Sequence, residues 1–160
     1  KFWLVDLLGK VSENNLGTKN FDNRNYQIDA LEFQPKISYV LNNDNRFSAF
    51  YHYKNKENSL LNFEKLKQQK IGLEYFYAGK EKSQFNVNFT AFFNDFTGNT
   101  NSPVGYQMLE GLQEGTNYTW TFLWNQKLNS FLNLNLNYRG RKSQNSKTIH
   151  TGSINLRAIF

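Results

Sequence analysis

Tyr118-Thr119-Trp120-Thr121-Phe122-Leu123-Trp124 and, a few residues on, Leu132-Asn133-Leu134-Asn135-Leu136-Asn137-Tyr138-Arg139 alternate bulky apolar with polar side chains almost without a break. The ending Ser153-Ile154-Asn155-Leu156-Arg157-Ala158-Ile159-Phe160 repeats the pattern. Successive side chains of a strand point to opposite faces. Each run therefore reads as a strand with one aliphatic and aromatic face and one face of amides, hydroxyls and guanidinium groups. Which face meets solvent, and what that solvent is, decides the fold.

The same alternation recurs upstream in Phe85, Val87, Phe89, Ala91 and Phe93, in Ile71, Leu73, Tyr75 and Tyr77, and in Phe47, Ala49, Tyr51 and Tyr53. Trp3, Val5, Leu7, Gly9 and Val11 share a face near the start. Between 26 and 41 the phase slips: Tyr26, Ile28 and Ala30 share one side, and then Leu31, Phe33, Pro35, Ile37, Tyr39 and Leu41 carry the apolar one. The slip predicts a bulge near Ala30-Leu31, and Pro35 requires an edge, a bulge or a gap in the ladder. The pattern gives about eight strands, with no helix beyond a turn or two in the long loops. Short connections at 42–45, 79–83 and 126–130 alternate with longer ones at 12–25, 55–69, 95–115 and 142–147. Outer-membrane barrels join their strands by short periplasmic turns and longer outer loops, an order that assigns both termini to the periplasm.

Composition agrees. A chain of 160 residues is one domain, or a C-terminal fragment of a larger barrel. Opening at Lys1 with neither Met nor leader, it reads as a mature chain or an excised piece. Aromatics reach 17%, yet the mean hydropathy of −0.69 is too polar for a helical membrane protein. No run approaches the ~20 apolar residues that a spanning helix requires. A net charge of +6 would permit an anionic partner, but the Lys and Arg residues are dispersed and form no basic helix, which argues against nucleic acid. With no cysteine there is neither a disulfide framework nor a thiolate metal site, and no motif calls for a cofactor.

Position along the strands sorts the aromatics. Tyr39, Phe47, Tyr75, Tyr77, Phe85, Trp124 and Phe160 fall near the short turns. Tyr26, Tyr51, Tyr53, Phe93, Tyr118, Trp120 and Tyr138 fall near the long loops, and residues such as Ile37, Leu73, Leu134 and Leu156 occupy the middles. Two aromatic belts with mainly aliphatics between, Phe89 and Phe122 being the aromatic residues of the middle, are the lipid-facing girdles of a transmembrane β-barrel. A lipocalin-like soluble barrel would turn the same face inward around a ligand, and has no reason to sort its lining this way. Lys36, Lys70, Glu74, Asn133, Asn135, Asn137, Arg139, Asn155 and Arg157 then face the lumen. Phe50, Phe76, Phe92 and Leu123 share that polar side, and the sequence offers no account of them.

The alternating, Phe-terminated ending resembles the C-terminal assembly signal of bacterial outer-membrane proteins. Ser102-Pro103-Val104-Gly105-Tyr106, Leu109-Glu110-Gly111-Leu112, Gly140-Arg141-Lys142-Ser143 and Lys147-Thr148-Ile149-His150-Thr151-Gly152 make a little over the last third of the chain similar to the C-terminal barrel segment of large outer-membrane proteins of the Bacteroidetes, flavobacteria especially. The resemblance implies an antiparallel up-and-down barrel in the outer membrane and relatives with a longer N-terminal part. It implies no reaction.

Candidate sites are few. His52 and His150 are the only histidines, and His150 with Ser153 and Ser146 has the residue types, though no motif spacing, of a lipid-acting barrel enzyme. The charged lumen residues suit a selective pore, or an ion-paired filling if eight strands close on themselves. Val104, Tyr106, Met108, Leu109 and Leu112 are too apolar for a loop in water; they read as a surface for an outer-membrane or surface protein, or as half of a lid completed by Leu60, Leu61, Phe63 and Leu66. The expected role is structural or in assembly, presenting loops to a protein or glycan. Solute passage is the alternative, and lipid chemistry comes third.

Overall fold

A computed structural model describes residues 1–160 except 22–23, 61–63, 80–81 and 159–160. The chain is all-β, with eight antiparallel strands paired in sequence order in one sheet. They are β1 (Phe2–Leu16), β2 (Tyr26–Asn42), β3 (Asn45–Asn58), β4 (Lys65–Gly79), β5 (Ser83–Thr97), β6 (Gly115–Lys127), β7 (Leu132–Ser143) and β8 (Ile149–Ala158). One short helix, α1 (Pro103–Met108), lies between β5 and β6. Connections still alternate short and long.

Several strands run further than their alternation suggested. β1 continues to Leu16, β3 to Asn58, and β4 begins at Lys65. In these extensions the outward positions turn polar: Asn55 pairs with Lys67 and Glu57 with Lys65. Once both faces are hydrophilic the period of two disappears from the sequence, although the ladder continues.

The predicted bulge at Ala30-Leu31 is absent. Val11 pairs with Leu31 and Ser12 with Ala30 in unbroken register. The apparent slip is a change in which face is apolar, because Ile28 and Ala30 point inward and are buried. Pro35, which has no N–H, does interrupt the ladder to β3: pairing resumes from Phe33–Tyr53 to Lys36–Phe50 with register unchanged. The register shifts instead between Val40 and Asn42, beside the turn.

Asn45 at the end of one hairpin pairs with Tyr77, two positions short of the next hairpin's closing pair Gly79–Ser83. Such stagger is what tilted barrel strands require. β1 and β8 are the two edges of the sheet. Nearly every residue of β1 and every described residue of β8 is exposed, on both faces.

Candidate functional site

Burial is inverted relative to a water-soluble sheet. On the apolar face Ile71 is 52% and Leu73 59% exposed, whereas Ser38, at 3%, and Gln68, at 0%, are buried on the polar face. The outer rings form a row across the strands. Trp3 meets Tyr39 at 4.7 Å between centroids, Phe47 stacks on Tyr75 at 4.5 Å, and Tyr75 contacts Phe85 at 5.5 Å. Phe85 is in turn paired with Trp124. Their polar tips reach toward the turns: Tyr75 Oη donates to Asn45 Oδ1 at 2.6 Å and Trp124 Nε1 to Ser83 Oγ at 3.1 Å. An apolar body with a hydrogen-bonded tip suits an interface.

At the other rim, Tyr51, Tyr53, Phe93, Tyr118, Trp120 and Tyr138 also sit on the outer face. Tyr26 does not; it packs against the internal core. Phe160 lies outside the described residues.

The inner face is where the chain folds back on itself. Ser102 caps α1 by accepting from Gly105 N–H at 2.9 Å, and Pro103 takes the first turn, where its missing N–H costs nothing. The helix drives Val104, Met108 and Leu109 against Ile28, Leu66 and Phe96, a small dry core inside the curve of the sheet. Three of the five residues expected to form a partner surface are therefore buried within the chain. Leu112 is half-buried, and Tyr106 alone is well exposed. Of the second loop's apolar group, Leu66 joins this core and Leu60 is exposed, while Leu61 and Phe63 lie outside the described residues.

Two successive residues with positive φ, Glu110 at 56° and Gly111 at 73°, end the helix and aim the Glu110 carboxylate at the sheet. It lies 2.8 Å from Lys54 Nζ, 3.0 Å from Lys56 Nζ and 3.6 Å from Lys70 Nζ. Burial raises the Glu110 pKa, but the Lys54 hydrogen bond and the charges of Lys70 and Lys56 outweigh it and hold the group at about 2, below its ordinary 4.5. Glu32 is shared beside them, 3.1 Å from His52 Nε2 and 3.5 Å from Lys54 Nζ. From the far side Arg141 donates to the Gly111 carbonyl at 3.1 Å, so one turn is gripped by β3 and β4 and by β7.

Lys36 and Glu74 form an ion pair lower on the inner face. Asn133, Asn135, Asn137 and Arg139 of β7 line up with Arg157, Asn155, Ser153 and Thr151 of β8 on that face. Arg46 lies 5.3 Å from the Phe76 ring centroid and Lys70 5.3 Å from that of Phe92, so two of the unexplained inner aromatics bear cations. Phe50 fills the space left by Gly72. Nothing in the structure explains Leu123.

His150 and Ser153 do not meet. His150 is opposite Gly140 on the outer face, its ring stacked on Tyr138, while Ser153 is opposite Asn137 on the inner face. Ser146 is bonded to the Ser143 backbone. The sequence reading passed over Glu32, Lys56 and Glu110 as site residues. Lys56 shares parity with His52 and Lys54, a signal available in the sequence; the return of Glu110 to them is tertiary. No protein-family model matches the chain, and no curated protein matches it.

Proposed function

We propose that the chain is wall of a bacterial outer-membrane β-barrel, lipid against its aromatic face and a water-filled lumen against its polar one, and that it serves the passage of polar solutes. The observation that carries this reading is the inverted burial of the two faces. Soluble proteins rarely leave contiguous apolar patches beyond a few hundred Å² in water, and here the exposed apolar face continues from Trp3 on β1 to Leu156 on β8. From Phe85 to Phe93 the outward apolar positions cover about 30 Å of strand. At a barrel tilt near 40° that is about 23 Å of height, against a hydrocarbon band of ~25 Å.

Hydrocarbon requires the edges β1 and β8 to be paired, with each other or with further strands. Exposed Phe2, Leu4 and Leu8 on the inner side of β1 favour further strands, because an eight-stranded interior is filled by side chains. The resemblance to the large Bacteroidetes barrels agrees with a wider cylinder and periplasmic termini. Passage is favoured over display of the 98–115 loop because Val104, Met108 and Leu109 turn inward. A role in assembly with a protein or glycan partner keeps the exposed Tyr106 and Leu60 as its support.

The test is refolding into liposomes with single cysteines in this cysteine-free chain. Leu73→Cys should react with a bilayer-soluble maleimide and Asn155→Cys, exposed on the inner face, only with a water-soluble one. A chain that stays folded and dispersed without detergent would defeat the reading.

A further inference from the structure

Carboxylates are unevenly distributed over the inner face. On β1 to β4 six inward cations, Lys10, Lys36, Arg46, Lys54, Lys56 and Lys70, share four carboxylates, those of Asp6, Glu32 and Glu74 and that of Glu110 in the inserted turn. On β5 to β8 the inward positions are mostly Asn, Gln, Thr and Ser, with Lys127, Arg139, Arg141 and Arg157 and the apolar Phe92, Phe96, Leu123 and Ile149, and the one acid in these strands, Asp95, faces outward. No carboxylate lies within ion-pair reach of those three arginines among the described residues. At the short-turn end a cleft of about 460 Å³ repeats this chemistry, lined by Lys82, Lys127, Arg157, Asn133, Asn135 and neighbouring polar residues. A solute entering this lumen meets guanidinium and amide donors uncompensated by acid, an environment that concentrates oxyanions.

The lysine group opposite is already shaped for such a ligand. The side chains of Lys54, Lys56 and Lys70 are only 11%, 11% and 14% exposed, and they converge on one carboxylate. That carboxylate, Glu110, is 36% exposed, so the occupant can exchange with lumenal water. Without it the three buried cations would have only Glu32 to share. The segment that supplies the occupant closes off its own release route: while Glu110 is seated, Met108 and Leu109 stay in the dry core one turn away.

We propose that Lys54, Lys56 and Lys70 form a lumenal oxyanion site that Glu110 fills as a tethered anion, and that a carboxylate- or phosphate-bearing solute displaces it and frees the 98–115 segment. The inference rests on the polar face being a lumen and deepens the passage reading: the solutes are anionic, and their arrival loosens the obstruction. The amide and arginine wall of β5 to β8 gathers the solute, and the lysine site exchanges it for Glu110.

Met108 is the only methionine, so its labelled methyl group reports on the docked segment without any substitution. The full chain, folded in micelles, is titrated with inorganic phosphate and with citrate, against sodium chloride at matched ionic strength and against glucose. The expected result is saturable movement of the Met108 resonance toward its position in Glu110→Gln, with phosphate or citrate only. Freed of its tethered competitor, Glu110→Gln should bind phosphate about tenfold more tightly or better. Lys70→Gln should lose the response, and Lys70→Arg, which keeps the charge and controls for misfolding, should retain it. Absence of oxyanion binding in both wild type and Glu110→Gln overturns the proposal, as does an equal response to chloride, which would be screening alone. The readout is independent of membrane insertion. A chain that enters liposomes but ignores oxyanions loses this inference and keeps the wall; one that binds them but never inserts keeps an anion site at the lysines and loses both the wall and the lumenal role proposed for that site.

Discussion

The Trp120 indole on β6 occupies the space that a side chain at Gly140 of β7 would fill. The two residues are direct cross-strand partners on the apolar outer face, and a Cβ at 140 would overlap the ring. His150 of β8 approaches the same ring at 5.9 Å, so the missing side chain lets three strands share one aromatic cluster.

Gly140→Val should therefore cost about 1–3 kcal/mol through overpacking, measured by urea unfolding in micelles. The double variant with Trp120→Val should recover part of the loss. Strictly additive costs would show that the indole turns aside freely and that the glycine has another purpose.

Two arginine substitutions of similar depth should separate the faces. Leu73→Arg places a cation on the outer face and should destabilise the bilayer-inserted state by about 2–4 kcal/mol. Asn88→Arg, paired with Glu74 on the inner face, should stay within roughly ±0.5 kcal/mol. Equal costs would mean that the two faces meet the same medium.

Acid should loosen the inserted segment. The folded-state pKa of Glu110, about 2, lies below its ordinary value of 4.5, which the unfolded chain keeps. Its contribution is thus fully present above the unfolded value and is lost as pH falls from there through about 2. The Met108 methyl resonance should move over that window in wild type and stay fixed in Glu110→Gln. A wild-type midpoint near 4.5 would mean that the lysines do not hold the carboxylate.

Because His150 and Ser153 occupy opposite faces, neither can activate the other. Any release of fatty acid from phospholipid vesicles should be the same for wild type, His150→Ala and Ser153→Ala. A drop confined to either variant would reopen lipid chemistry.

Where one face of a strand is apolar and the other polar, the period of two is written directly into residues such as 118–124 and 132–139. Beyond the apolar layer the constraint lapses. Asn55, Glu57, Lys65 and Lys67 are polar on the outer face, so alternation does not reveal the end of β3 or the start of β4. Ile28 and Ala30 misled for the converse reason: an inward position became apolar because a helix from 70 residues downstream covers it, and local alternation then looks like a slip.

What the chain settled by itself was an antiparallel sheet of about eight strands, its two-faced character and which residues share each face, all consequences of spacing along one strand. Only the tertiary structure decided that Val104, Met108 and Leu109 turn inward and that Glu110 sits among Lys54, Lys56 and Lys70. The Glu110 contacts join residues 40 or more positions apart, brought together by the return of the inserted segment onto the sheet and a turn of positive φ. A linear pattern records which side of a strand a residue takes, because that depends on its immediate neighbours. It does not record what returns across the inner face to meet it.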